Sequence, residues 1–423
     1  MFKNQPGALP GCYRACGWIA ALGLLVTTSI ALANGTHTGH QFSVTETGGA
    51  TISIPLQVPR GIGGMEPQLS LNYSSGGGNG LLGVGWFLAG PSSISRCAKT
   101  PQHDNGVRGA VTYSTSDRFC LDGQRLLSNT PTDDGNYASA GTVYWTERES
   151  FSRFTAVGSH PAGGPAGFKV ETKSGLILEF GAIPSVASGD AQVMTNPVDG
   201  ATPVIGQWML KRISDRMQPN SAQPAATPNY VEFYYCKFEI GSDLSCPGTG
   251  TYTGSQVLQY IRYTNRGSTP NGSAAVMFGY EARPDRILRF HYGASQVQTQ
   301  RLAYISTYLG FTSPASPGER VKVYEITYEP MRDPVTQNWT RATNVSRLTR
   351  VQELRGSVGS VATRPPSARS AADALPPLDF TYAIDSVYGK VVSQDAVLGA
   401  TSPKPGLNCG GYVGTYRIAH LCP

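Results

Sequence analysis

Charge is scarce in this sequence. Asp, Glu, Lys and Arg make up 15 % of its 423 residues, where an ordinary soluble domain carries about 25 %. Helical bundles and coiled coils need charge-rich outer faces, so the shortage argues against them. No long segment repeats its apolar residues at the helical period between caps, and no apolar run reaches the roughly 20 residues of a membrane-spanning helix. Three further signals are missing. A nucleic-acid surface would show a basic cluster interleaved with aromatics, a zinc site a Cys-x-x-Cys pair, and a hydrolase of the nucleophile-elbow type a Gly-x-Ser-x-Gly motif.

What the chain has in excess is turn residues. It holds 50 Gly and 30 Pro, roughly 19 % of the total against about 12 % in average usage. A 40 % hydrophobic fraction with 21 Tyr, 14 Phe and 5 Trp is enough to bury a core, which argues against wholesale disorder. The expectation is a mainly β fold of multi-stranded antiparallel sheets with long Gly/Pro-rich loops and few or no long helices.

Lys3 and Arg14 precede an apolar run from Trp18 to Leu32 that ends in Ala31-Leu32-Ala33. This pattern predicts a secretory signal peptide over residues 1–33, cleaved before Asn34, and a secreted or extracellular protein reached via the periplasm. The two cations lost with it belong to a formal net charge of only +6, so no nucleic-acid partner is expected. After cleavage no stable membrane span remains. Six cysteines stay behind, Cys97, Cys120, Cys236, Cys246, Cys409 and Cys422, in a compartment that permits oxidation. Local pairing is the simplest of 15 connectivities and makes them disulfide staples.

Alternation marks the strands. Ile52, Ile54, Leu56 and Val58 share one face of residues 51–59, and Leu69, Leu71 and Tyr73 follow after a Gly-rich connection, so 51–75 reads as a β-hairpin. Pro55 has no N–H to give, which makes its strand an edge or turns the Pro away from its partner. Residues 168–172 and 176–180 form a second hairpin around 173–175. Further strands are expected at 229–236, 257–263, 275–280, 301–308 and 321–328. Asp133-Asp134-Gly135-Asn136 is a turn, and 356–377 a mobile insert or linker.

Residues Gly49 to Cys97 read GATISIPLQVPRGIGGMEPQLSLNYSSGGGNGLLGVGWFLAGPSSISRC. Further blocks follow in order: DRFCLDGQRL from Asp117, SGLILEFG from Ser174, WMLKRISDR from Trp208, YEARPD from Tyr280, TQRLAYI from Thr299 and SRLTRVQE from Ser346. Together they resemble the N-terminal module of the Salmonella plasmid virulence protein B family. That module also opens the B components of insecticidal toxin complexes and many RHS/YD-repeat proteins. The resemblance implies a β module over 34–385, followed by a C-terminal tail, 386–423, of uncertain structure and read as a truncation remnant. Within it Gly80, Leu81, Leu82, Gly83, Gly85 and Trp86 form a structural motif: Gly frees the backbone, and Leu and Trp supply burial. A dinucleotide-binding reading fails, because the Gly spacing is inverted and no βαβ unit surrounds it.

By the same resemblance the module is not a catalyst but part of a hollow shell, with a propeller or RHS-repeat shell protein, separately encoded or not, as its partner. The sequence contains no Tyr-Asp dipeptide and no Asp-x-Asn-x-Asp-Gly loop, so repeats and propeller must come from elsewhere. No cofactor or metal is expected. Two other functions are compatible with single features: an envelope adhesin or glycan-binding β domain, suggested by the Tyr and Trp content, and an ADP-ribosyltransferase. The last rests on Arg108, Ser114-Thr115-Ser116 and Glu147-Arg148-Glu149, a set that could grip phosphates and stabilise an oxocarbenium-like ribose. Arg108 and Ser114 are too close in sequence for the separate elements that such a site needs. His37 and His40 read as a solvated tail, and Asp117-Arg118 and Arg283-Pro284-Asp285 as turn geometry with an Arg–carboxylate pair anchoring strands.

Overall fold

Two-residue alternation builds the first strands. Ile52 and Ile54 of β2 (Ala50–Pro55) lie between β1 (Gln41–Val44) and β3 (Ser70–Ser74). The short β4 (Asn79–Gly80) and β5 (Gly83–Val84) pair with each other, and β6 (Trp86–Ala89) completes a four-stranded antiparallel sheet of order β1-β2-β3-β6. β2 is therefore not an edge. The Leu56 N–H donates to Leu69 O, which makes Pro55 and Ser70 the non-hydrogen-bonded pair of the ladder. The Pro nitrogen thus points away from β3, on the side where pairing with β1 ends at Ser53.

This computed structural model describes residues 38–128, 136–161, 163–182, 191–195, 203–215, 228–238, 255–266, 273–291, 294–330, 345–356 and 374–382. All fall within the unit Gly35–Pro423. The predicted signal peptide, the turn at 133–135, most of the 356–377 insert, the 386–423 tail, His37, Cys246, Cys409 and Cys422 lie outside the described residues. Among the described residues the only helix is a 3-10 turn at Ile62–Gly64, and no helix is long and apolar enough to cross a membrane. The fold is mainly β.

The next strands are β7 (Ser93–Cys97), β8 (Arg118–Leu121), β9 (Gln124–Ser128), β10 (Val143–Thr146), β11 (Arg153–Val157), β12 (Gly167–Glu171) and β13 (Ile177–Gly181). Each pairs with its successor, and the two ends of this meander, β7 and β13, both pair with β15 (Val204–Ser214). Eight strands thus close a ring, a small barrel whose interior side chains fill completely. Phe119, Phe168 and Trp208 meet there, all fully buried, with ring centroids 5.1–5.2 Å apart and near-perpendicular planes. The Trp208 indole donates to Pro165 O at 3.0 Å. Tyr137, pushed up to about 12 by burial, donates to Leu126 O at 2.8 Å. A disulfide joins Cys97 of β7 to Cys120 of β8. Cys236 is also disulfide-bonded.

β15 belongs to two sheets. Its Gln207–Met209 stretch pairs with β7, whereas Arg212–Ser214 pairs with β16 (Asn229–Phe238); β14 (Gln192–Thr195) lies along its first half. From β16 a long antiparallel meander runs through β17 (Ser255–Arg266), β18 (Ser273–His291), β19 (Ala294–Phe311), β20 (Glu319–Tyr328), β21 (Leu348–Arg355) and β22 (Leu378–Asp379). The four-stranded sheet packs its apolar face into the same core: Ile54, Leu71 and Trp86 join Phe233, Tyr324 and Val351. The loop after β2 crosses the meander, pinned by Tyr324 Oη to Gln57 N–H (2.8 Å), Tyr263 Oη to Pro59 O (2.7 Å) and Asn229 Nδ2 to Ile62 O (2.6 Å).

Candidate functional site

Four of the sequence blocks, spread from residue 49 to residue 353, converge on one cluster around the Asp285 carboxylate. Asp285 lies in β18, not in the turn predicted for Arg283-Pro284-Asp285. Ala282 pairs with Gln300 and Ile287 with Gln298, so four residues of β18 oppose Thr299 alone. Pro284 explains the bulge, since it cannot donate to the ladder. The bulge turns Arg283 and Asp285 inward, and the predicted ion pair between them forms at 3.1 Å with both side chains buried.

Around this pair the contacts are all long-range. Arg283 donates to Gly80 O and Asn79 Oδ1, each at 2.9 Å. Asp285 accepts from Asn79 Nδ2 at 3.0 Å, from the Ser346 N–H at 2.6 Å and from Ser346 Oγ at 2.5 Å. Ser346 returns its carbonyl to Val84 N–H (2.9 Å) and accepts at Oγ from Arg301 (3.0 Å). Burial alone would raise the Asp285 carboxyl, but the donors from Arg283, Ser346 and Asn79 outweigh it and hold it at about 2. The carboxylate stays charged at any physiological pH.

The predicted motif forms the other half of this tie. Gly80 and Gly83 sit at facing ends of the β4–β5 pair, with Leu81 and Leu82 as the turn between them. Leu82 is fully buried, and Leu81 O accepts from Leu302 N–H at 3.1 Å. Gly83 and Gly85 have φ of +86° and +79°, and a Cβ on Gly83 would collide with Ser346 O. Trp86, 2 % exposed, donates to Tyr382 Oη at 2.9 Å and packs edge-on against Phe380. The sequence identified this corner as structural. It did not identify Asn79, Arg301 or Ser346 as its receptors, although all three stood in the resemblance blocks.

A second group of charges belongs to the barrel. Asp117 and Arg118 are both ion-paired, but not with each other: Asp117 binds Arg96 at 3.1 Å, and Arg118 binds Asp104 at 2.6 Å, which also takes Arg125 at 2.6 Å. Arg96 sits opposite Phe119 in register, 5.6 Å from the Trp208 ring. Burial would raise the Asp104 carboxyl, yet donors from Thr100, Arg118 and Arg125 bring it below the ordinary value. These pairs are buried on both sides, and only the Arg125 Nε among their buried side-chain atoms lacks a hydrogen-bond partner, as suits a structural role.

The transferase residues are engaged locally. The Ser114 carbonyl accepts from Arg96, and its hydroxyl bonds Thr112 and Ser116. Glu147 pairs with His103 at 3.0 Å, and Glu149 accepts from the Phe151 N–H two residues on. Arg108 is exposed. The two tryptophans with the largest burial, Trp86 and Trp208, serve the core and present no open ring face to a sugar. Among the described residues no group of three His, Cys, Asp or Glu is placed to hold a metal ion.

The family described as SpvB, Salmonella virulence plasmid 65kDa B protein, matches residues 44–159. This stretch is SpvB-like. It takes in strands β2, β3 and β6 of the four-stranded sheet, the Gly80–Trp86 corner and the barrel strands β7 to β11. Mono(ADP-ribosyl)transferase SpvB of Salmonella typhimurium strain 14028s is 26 % identical over 226 residues, 52 % of this chain and 34 % of that protein. The chain thus matches about a third of the length of that curated relative. Among solved structures, the crystal structure of TcdB2-TccC3 aligns with a TM-score of 0.53 and 18 % identity over 82 % of this chain and 17 % of the other. The Photorhabdus luminescens Tc holotoxin pore aligns with a TM-score of 0.54 and 18 % identity over 82 % and 16 %. The fold described above is therefore shared with part of a much larger toxin-complex chain.

Proposed function

We propose that this chain is a structural module of a virulence or toxin-complex assembly, secreted, non-catalytic by itself, and joined in use to a propeller or RHS-repeat shell protein. The observation that carries the reading is the use made of the motif residues. Asn79, Gly80, Arg283, Asp285, Arg301 and Ser346 are bonded to one another, and Asp117 is paired with Arg96 and Asp104 with Arg118 and Arg125. Groups committed to internal pairs hold a wall in shape. An active site needs at least some of its charged groups open to a substrate.

The likeness in fold to a fraction of toxin-complex chains supports the choice of partner class. The test is co-expression of residues 34–423 with a propeller and RHS-repeat polypeptide, followed by size-exclusion chromatography. A stable co-eluting complex without NAD turnover is the expected result. NAD hydrolysis by the isolated protein that disappears in Glu149→Gln would overturn the non-catalytic reading, and a chain that always elutes alone would overturn the partner.

A further inference from the structure

β17 and β18 pair only from Tyr260–Met277 to Tyr263–Ala274. Beyond Tyr260 they part: β17 continues to Ser255 against β16 alone, and β18 continues to His291 against β19 alone. The Tyr280 hydroxyl marks the fork by donating to Leu258 O at 2.5 Å. Between the limbs lies a cleft of about 300 Å³. Gln256 and Val257 line it from β17, Ile287 and Arg289 from β18, and Val193 from β14, whose strand pairing is with β15. Three strand borders thus face one slot.

We propose that this fork binds an extended peptide segment that carries carboxylates between apolar residues. A strand entering the slot would meet backbone edges on its flanks and side-chain pockets at every second position, the geometry of recognition by strand addition. The floor is apolar, from Leu81, Met209 and Val297. Glutamine amides, which both donate and accept and so suit a peptide backbone, line the slot at Gln256 and Gln298, while the third lining amide, Gln207, donates to Ser93 Oγ at 2.7 Å. The charge is one-sided. Arg289 is exposed, spends one N–H on Asn79 O, and is the only ionisable side chain among the described lining residues. A carboxylate is complementary to that lining and a cation is not. The site is additional to the module reading, and the two stand or fall separately.

The test uses the full chain with its disulfides intact and a fluorescein-labelled peptide, acetyl-Val-Glu-Val-Glu-Val-Glu-Val-amide, followed by fluorescence anisotropy. Saturable binding is expected, at least about tenfold weaker for the counterpart with Lys in place of Glu. Arg289→Gln should weaken the Glu peptide by roughly tenfold, and Val193→Trp, which fills the slot, should abolish its binding. Gln298→Trp fills the same slot from another strand and serves if Val193→Trp does not fold. Equal affinity for the two peptides, no saturation with the Glu peptide, or unchanged binding by the folded filling variants would each overturn the proposal.

Discussion

The barrel and the Asp285 tie solve the same problem, holding distant strands together, by opposite means. In the barrel the hydrogen-bonded ring closes on β15, and the interior is apolar: Phe119, Phe168 and Trp208 are fully buried. Its ion pairs, Arg96 with Asp117 and Asp104 with Arg118 and Arg125, are buried beside that core. The tie joins the β4–β5 corner to β18 and to Ser346 through side-chain charges, at a bulge where the strand ladder is broken. A closed ladder needs no polar key. Where the ladder fails, the orphaned backbone groups must be met by side chains, and a buried carboxylate with several donors meets them.

The comparison predicts a graded set of losses. Trp208→Ala removes the ring that touches both Phe119 and Phe168, and should cost about 3–5 kcal/mol in denaturant unfolding, enough to threaten folding altogether. Replacing Cys97 and Cys120 together by Ser frees a loop whose ends are 23 residues apart and should cost about 3 kcal/mol. Non-reducing mass mapping of the parent must find that bridge.

Asp285→Asn keeps the shape of the tie but removes its charge, and should cost about 2 kcal/mol at neutral pH. Its pH dependence has a definite sign. The carboxyl titrates at about 2 when folded and near 3.8 when unfolded, so its contribution is complete above the unfolded value and disappears as pH falls through about 2. The gap between parent and Asp285→Asn should therefore narrow on acidification from pH 5 to pH 2. A gap that is constant across that range would contradict the role given to the carboxylate. The smallest effect belongs to Arg350→Ala. Its pair with Asp379 is exposed on both sides, and no change in midpoint is expected beyond experimental scatter.

Alternation marks β2, β3, β12, β13 and β16 to β20, because a strand with one face in the core repeats every two residues. The short strands β1, β4 to β11 and β14, together with β15, β21 and β22, are not marked by it. One local reading needed correction and another was decided between its alternatives. The turn expected at Pro284 is a bulge within β18, and of the two readings of Pro55, an edge strand or a Pro turned away from its partner, the second holds. In each case the ladder, not the residue, decides which N–H is dispensable. Adjacent charges need not share a partner: Asp117, just before β8, pairs with Arg96, and Arg118, the first residue of β8, pairs with Asp104.

The sequence by itself determined the fold class, nine of the strands and the Gly80–Trp86 corner, since period, Gly placement and burial are local properties. The closure of eight strands through β15, the meeting of Asn79, Asp285 and Ser346, and the fork between β17 and β18 were decided by tertiary structure. Each depends on pairing between segments tens to hundreds of residues apart, and no local pattern records which strand edge or which carboxylate a distant donor will reach.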